Sequence, residues 1–522
     1  MKLEGDEMLA FIARRLSVLV VILFGSSFII YNLAAISGDP VEDLRFSDQP
    51  EAKLQLEKLT LELKLDVPPP LRYFMWLRSV LGVFIGKPDF GMSREGYPVI
   101  EELAGAIPVT LRLVFMATLI AIVLGISLGI ITALRQYGRF DYSVTFMSFL
   151  LFSLPIFWVA VLLKEYMAIS FNNFLLEPKV PITWTLALSL VVALFWASAI
   201  GGNRKRFWST FAIAGLTNAF LLQLLSWMDW FSTPQLGPIV LTLMSAGIAI
   251  GITALSTGLD NKSAMRAALT MSGASLIAYY PTQYFFNTFP GALTLIALLV
   301  FTLFLSFIVT NFFAKVDKGP VLRAATLTGV LTGVLFILDR LMQSWVPYVG
   351  TDAVNGRPVP TAWQVNTQLY DENPDYWINL LDIAMHLILP TIALTLISFA
   401  GYVRYSRGTL LEVLNQDYIR TARAKGLNER TVVMRHAFRN TMIPISQIIV
   451  WDFAGLIGGA IITERVFGWQ GMGTLVNKAI VGVDLNLLMA VFFVTSTLAL
   501  LANLAADILY SYLDPRIRIG GN

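Results

Sequence analysis

Residues 417–444 read DYIRTARAKGLNERTVVMRHAFRNTMIP, a polar, basic stretch set between two hydrophobic runs. From Arg404 to Arg439, eight basic residues (Arg404, Arg407, Arg420, Arg423, Lys425, Arg430, Arg435 and Arg439) face only Glu412, Asp417 and Glu429, a net of +5. Charge of that sign marks a loop on the cytoplasmic side of a membrane, and says no more than that. The order of residues says more. Leu410, Leu411, Leu414 and Tyr418 recur at helical spacing, so the preceding helix is expected to continue out of the membrane on one apolar face. Thr421 to Lys425 form a short turn of good helix formers, stopped by Gly426, the residue suited to a left-handed helix end. Asn428 can cap a second helix with Glu429 in its first turn, running through Val432, Val433, Met434, Ala437 and Phe438 to Pro444. The pattern is helix, exposed knuckle, helix, with small residues at the tip. Such a protrusion suits insertion into a groove on another protein; a solvated positive-inside loop is the plainer reading.

Composition sets the surroundings. Hydrophobic residues make up 56% of the 522 and charged residues 14%, with mean hydropathy +0.67. Soluble domains carry about 25% charge. Apolar runs near the roughly 20 residues needed for a helical crossing recur along the chain, so the fold class is an all-α polytopic membrane protein. There is no cysteine, and the histidines are His386 and His436. Thiolate zinc sites, iron–sulfur clusters and disulfides are excluded, and no metal site is expected. No basic run interleaved with aromatics points to nucleic acid.

About twelve transmembrane helices are expected, with both termini cytoplasmic. Residues 1–36 hold the N-terminal segment and first helix; its apolar run, from about Leu16, is longer than a signal-peptide core. Residues 37–107 form an extracytoplasmic region with a leucine-rich helix, a break at Val67 to Pro70 and an aromatic interfacial helix. Residues 108–165 carry two spans, the first from Pro108 with small residues at helix-packing spacing, the second kinked by Pro155. Residues 166–345 add six apolar runs. Their loops alternate between basic (Arg204 to Arg206, Lys262 and Arg266, Lys315 to Lys318) and aromatic. An even number of added spans leaves the flanking topology undisturbed. Asp339 and Arg340, near the outer end of the sixth run, read as a paired interfacial couple or as a functional one. Residues 346–377 form an external loop, and 378–522 hold three more spans, a cytoplasmic loop at 403–440 and a short tail, Asp514 to Arg518.

With the spans placed, TARAKGLNERTVVMRHAFRN resembles the EAA-type coupling loop of ABC importer permeases, in the dipeptide/oligopeptide/nickel form. Arg420-Thr421-Ala422, then three residues to Gly426, meets the general pattern loosely, as that branch does. ELKLDVPPPLRYFMWL, DFGMSREGYPVIEEL, IPVTLRLVFMATLIAIVLGISLGIITALR, GGAIITERVFGWQGMGTLV and DILYSYLDPRIR are similar to the same branch. The resemblance covers residues 8–165 and 376–520 and omits about 166–375, which six-span members lack. It implies a type I importer permease core of 1+5 helices carrying an inserted six-helix membrane region. It implies as partners a second homologous permease, two nucleotide-binding ATPase subunits and an extracytoplasmic substrate-binding (lipo)protein, in an inner (cytoplasmic) membrane, with lipid around it. ATP and Mg would be bound by the ATPases and no cofactor by this chain, which is not itself expected to be an enzyme. Gly82 to Pro88 has the wrong spacing for a phosphate loop and no Ser/Thr after Lys87.

The implied ATPase-coupling residues are Arg420, Thr421, Ala422, Arg423, Ala424, Lys425, Gly426 and Leu427. Asp452, at membrane depth, either faces the pore, where it could attract a peptide ammonium, or hydrogen-bonds a neighbouring helix. Glu464, Trp469 and Gly471 are candidates for an external gate or binding-protein contact, against an interfacial Trp anchor. The expected function is peptide import. A twelve-span secondary transporter is the alternative of a different class, but it should show paired repeats and midplane ion sites; a permease for nickel or another small solute is another. A membrane enzyme would need a His/Asp/Glu cluster that the insertion lacks.

Overall fold

No water reaches the backbone inside a bilayer, so each crossing segment must close its own hydrogen bonds, and helices are the outcome. The computed structural model describes residues 5–314, 318–372 and 375–513. Over these residues the regular structure is α-helical, and the one β feature is an isolated bridge between Met92 and Pro98. The tail Asp514 to Arg518 and the loop residues Lys315 to Asp317 lie outside the described residues.

In chain order the long helices are α1 (Gly5–Ser37), α2 (Val99–Leu134), α3 (Arg139–Ser153), α4 (Ile156–Phe174), α5 (Ile182–Ile200), α6 (Arg204–Trp227), α7 (Gly237–Ser256), α8 (Lys262–Thr288), α9 (Ala292–Phe313), α10 (Lys318–Gln343), α11 (Tyr376–Leu414), α12 (Phe438–Gly459) and α13 (Leu485–Leu513). Among the described residues nine helices are long and apolar enough to cross a membrane, ten when α3 and α4 count as one bent span. The 27-residue α8 and the 22-residue α12 occupy the two remaining expected places as helices.

Two expectations about proline need correction. Pro108 does not start its helix. Pro98 caps it instead, and Pro108 sits inside α2, ten residues along. Pro155 is not a kink but a break, with α3 and α4 bent by 101°. Leu154 is extended (ψ 130°), as the residue before a proline prefers to be, and the α3 ladder cannot pass it.

Contacts divide the chain into two units. The first comprises Met1–Glu165, Thr361–Gln364 and Leu387–Asn522; the second comprises Tyr166–Pro360 and Val365–His386.

In the first unit α1 packs along α13. The interfacial helix Pro69–Val80 folds back on α1, where the Ser27 and Tyr73 hydroxyls lie 2.8 Å apart. Tyr31, Tyr73, Trp76 and Phe90 build an aromatic cluster there with Leu487 and Val491 of α13. Close packing joins α2 to α11. A Cβ at Gly125 would overlap the Tyr402 side chain, and one at Gly129 would overlap Ser406 Oγ and the Val403 carbonyl oxygen. Small residues four apart let two backbones touch, replacing the hydrophobic drive that lipid does not supply.

In the second unit α5 and α6 pack chiefly on each other, and α7 to α10 form a group of four. The α5–α6 hairpin is tied by amides, Asn218 Nδ2 donating to Ser189 Oγ (3.0 Å) and Gln223 Nε2 to Thr185 Oγ1 (2.6 Å). Asp339 and Arg340 are not a couple, because adjacent helical side chains diverge. Asp339, fully buried, accepts from the Leu236 and Gly237 amides at the start of α7 (2.7 and 3.2 Å). It also accepts from the Tyr279 hydroxyl (2.7 Å) and from Gln283 and Gln343 (3.2 and 2.8 Å). Arg340 instead lies over the Trp377 ring, 5.8 Å from its centroid. Asp339 thus ties α10 to α7 and α8.

Gly129→Leu should destabilise the protein by about 1–3 kcal/mol, because it meets the Ser406 side chain and the Val403 carbonyl, and the latter is backbone and cannot retreat. Gly105→Leu, at a position with nothing within 4 Å of a Cβ, should leave Tm unchanged in the same detergent.

Candidate functional site

The knuckle is built by local hydrogen bonds. Helix α11 ends at Leu414, and a short helix, Asp417–Ala424, follows. Its end is closed in two ways: the Gly426 amide donates to the Arg423 carbonyl (2.9 Å) and the Leu427 amide to the Ala422 carbonyl (3.4 Å), with Gly426 at φ +76°. This paired closure requires a left-handed residue, which glycine adopts without a Cβ penalty. Asn428 then caps the next helix, its Oδ1 accepting from the Thr431 amide (2.8 Å). Arg423 and Glu429 bridge the turn through two hydrogen bonds, 2.7 and 3.1 Å. The Arg423 guanidinium holds the Glu429 carboxyl below its ordinary range, yet both partners are exposed, so the pair adds little stability.

The sequence expectation ends the second helix at Pro444. In the structure Glu429–Thr431 runs through a π turn, Val432–Ala437, into α12, which passes Pro444 to Gly459. Proline forfeits one ladder donor there without stopping the helix. The apolar face also shifts. The break at Asn415 and Gln416 resets the register, so Ile419 turns inward, fully buried, while Tyr418 is exposed and accepts from Asn440 Nδ2 (2.7 Å). Ile419, Ala422, Val432 and Ala437 pack on Leu410 of α11 and Ala133 of α2.

The eight coupling candidates therefore separate. Ala422 is buried beneath the knuckle. Arg420, Thr421, Arg423, Ala424, Lys425, Gly426 and Leu427 are exposed on the protrusion. His436, half-buried, lies in the π turn.

The second candidate group lies about 35 Å further along α2, counting from Ala133 back to Thr110 at 1.5 Å per residue. Here the chain turns through the helices Ile461–Phe467 and Met472–Val481. Glu464 is fully buried. It accepts from Thr110 Oγ1 of α2 (2.6 Å) and the Thr474 amide (3.0 Å), while Thr110 Oγ1 accepts from the Met472 amide (2.8 Å). Burial pushes the Glu464 carboxyl up, against these donors. A Cβ at Gly471 would overlap Glu464 and Thr110, which is why glycine stands there. Trp469 is 1% exposed. Glu464, Trp469 and Gly471 are buried and brace the turn from inside. Beside them, Lys478 pairs with Glu95 and Glu102 (2.8 and 3.1 Å), and the Arg94 amide donates to Asp484 (2.6 Å). These bonds pin the DFGMSREG segment to the same turn.

Asp452 is half-buried in α12, beside Tyr402 and Ser398 of α11. Its Oδ2 is buried without a hydrogen-bond partner, while the carboxyl group interacts with the Tyr402 and Ser398 hydroxyls. A polar patch at this depth has spare capacity for a ligand group.

Sequence reasoning missed one pair. Arg407, counted there only as charge, grips Asp141 of α3 with Nε to Oδ1 at 2.7 Å and Nη2 to Oδ2 at 2.9 Å. An aspartate in the first turn of a helix after a basic loop reads as a helix-dipole residue, and no spacing rule joins residues 266 apart.

Thr110→Val should lower Tm, because it strands the Met472 amide and a Glu464 oxygen, at about 1–3 kcal/mol for each buried group left unpaired. Thr118→Val, one helix face on, should be neutral, since the Thr118 hydroxyl is buried with no partner to lose.

Comparison with known proteins places this geometry. The family described as binding-protein-dependent transport system inner membrane component matches residues 325–519. An oligopeptide transport system permease protein OppB of Mycobacterium tuberculosis (strain ATCC 25618 / H37Rv) is 40% identical over 165 residues, 30% of this chain and 51% of that protein. AppB of Bacillus subtilis (strain 168), also an oligopeptide transport system permease protein, is 42% identical over 139 residues, 27% and 44%. The dipeptide transport system permease protein DppB of Escherichia coli (strain K12) is 38% identical over 164 residues, 31% and 47%. The chain thus spans about half the length of the curated relatives it matches. Residues 325–519, which hold the knuckle, Asp452 and the Glu464 turn, are thus similar to binding-protein-dependent transport system inner membrane components.

Proposed function

We propose that this chain is the permease subunit of an ATP-driven importer for peptides, forming half of a translocation pore in the inner (cytoplasmic) membrane with both termini cytoplasmic. The observation that carries the reading is the knuckle. It presents small and basic residues on a turn closed by its own hydrogen bonds, and its underside is rooted on the ends of two long helices, α2 and α11. A push on such a protrusion moves the helices. The partners are a second homologous permease, two nucleotide-binding ATPase subunits and an extracytoplasmic binding protein. ATP and Mg reside on the ATPases, and this chain performs transport rather than catalysis. The relatives named for dipeptide and oligopeptide transport support peptides as cargo over nickel or another solute. In this reading Asp452 faces the pore and attracts the peptide ammonium with its unpartnered oxygen.

Gly426→Val places a β-branched residue at φ +76°, costing roughly 1–2 kcal/mol at the tip. The complex should still assemble in proteoliposomes, but ATP hydrolysis should no longer drive peptide uptake. Native uptake by that variant would remove the docking assignment. Asp452→Asn should weaken apparent affinity for peptides with a free N-terminal ammonium by roughly tenfold, about 1.4 kcal/mol, and leave N-acetylated peptides unaffected. Equal losses for both would remove the pore role.

A further inference from the structure

Helix α11 grips the bent segment α3–α4 at both ends of α3. At the start of α3, Arg407 holds Asp141 through two parallel hydrogen bonds, with Asp141 almost fully buried. The same carboxylate accepts from the Tyr137 amide (3.0 Å) and Thr145 Oγ1 (3.3 Å), so it also closes the turn leading out of α2. At the far end of α3, two residues before the 101° break, Phe152 lies under the Arg404 guanidinium, 4.0 Å from ring centroid to Cζ; Phe149 lies at 5.6 Å. Arg404 and Arg407 are one helical turn apart and lie one to two turns before Leu410, which packs directly on the knuckle.

We infer that Arg407 and Asp141 are positioning residues that carry a displacement of the knuckle to α3, with Arg404 on Phe152 steering the break, so that the α3–α4 bend moves when the knuckle is driven. Three features point this way. Helices α2 and α11 touch backbone to backbone at Gly125 and Gly129, so a push on the knuckle moves them as one body. A bidentate pair fixes direction as well as distance, which a lone contact does not. The segment so gripped is already broken at Leu154 and Pro155, so it can change its bend without breaking a further ladder.

The inference rests on the reading that an ATPase drives the knuckle, and the test separates the two. The chain has no cysteine, so spin labels can be placed at Phe146 on α3 and Val161 on α4, both exposed and on opposite sides of the break, in the complete complex in nanodiscs. The native chain should show a distance between them that changes with ATP. Arg407→Gln and Asp141→Asn should abolish that change and lower uptake per ATP by roughly tenfold at equal amounts of assembled complex, a loss of about 1.4 kcal/mol of coupling. The exchange Asp141→Arg with Arg407→Asp should restore much of both. Should the neutral variants fail to assemble, Arg407→Lys and Asp141→Glu keep the charges but spoil the fork, and the same losses are expected at smaller size. Native-like uptake per ATP and an unchanged distance response in any assembled variant would overturn the linkage. So would a loss confined to the amount of complex, which marks a brace and nothing more. Absence of any ATPase from the native complex would overturn the functional reading instead.

Discussion

The contact of α2 with α11 through Gly125 and Gly129 is the constraint on which the first unit depends. Lipid tails are as apolar as leucine, so burial does not drive helices together in a bilayer; close fit must do it. Two glycines four apart remove the side chains that would keep the backbones separate. Everything functional hangs from that pair. The knuckle sits on Ala133 and Leu410 at one end, and Thr110 accepts the Glu464 turn at the other. Asp452 lies beside Tyr402, the residue that fills the space above Gly125.

Much of this was legible in the residues. Gly426 and Asn428 declare a left-handed stop and a fresh cap by chemistry that acts within a few residues, and both appear as expected. Apolar runs of span length have few alternatives to helix. The failures share a cause. Whether Ala422 points in or out and whether Asp339 pairs with Arg340 are settled by what stands opposite. That lies beyond the reach of local pattern, at Leu410 for Ala422 and 60 and 103 residues away, at Tyr279 and the start of α7, for Asp339. Trp469 and Glu464 read as surface residues because an aromatic and an acid before a glycine-rich turn usually are; only the Thr110 side of the contact shows that they are interior.

The inserted helices follow the same rule with different chemistry. Where the first unit uses glycine, the second uses amides and hydroxyls: Asn218 to Ser189, Gln223 to Thr185, and Ser245 with Thr332 at 2.7 Å. Asp339, a buried acid among the inserted helices, accepts from five donors. A carboxylate so occupied acts as an anchor between helices.

The knuckle's closure by its own amides has a consequence for association. A loop that must order itself on a partner surrenders conformational entropy at the moment of contact, at a cost of about 1–2 kcal/mol per residue fixed. This turn is already held by the Gly426 and Leu427 amides and by the Asn428 cap, so a protein that grips it has little disorder left to remove. The handle is stiff before it is held, and work done on it is not absorbed in straightening it.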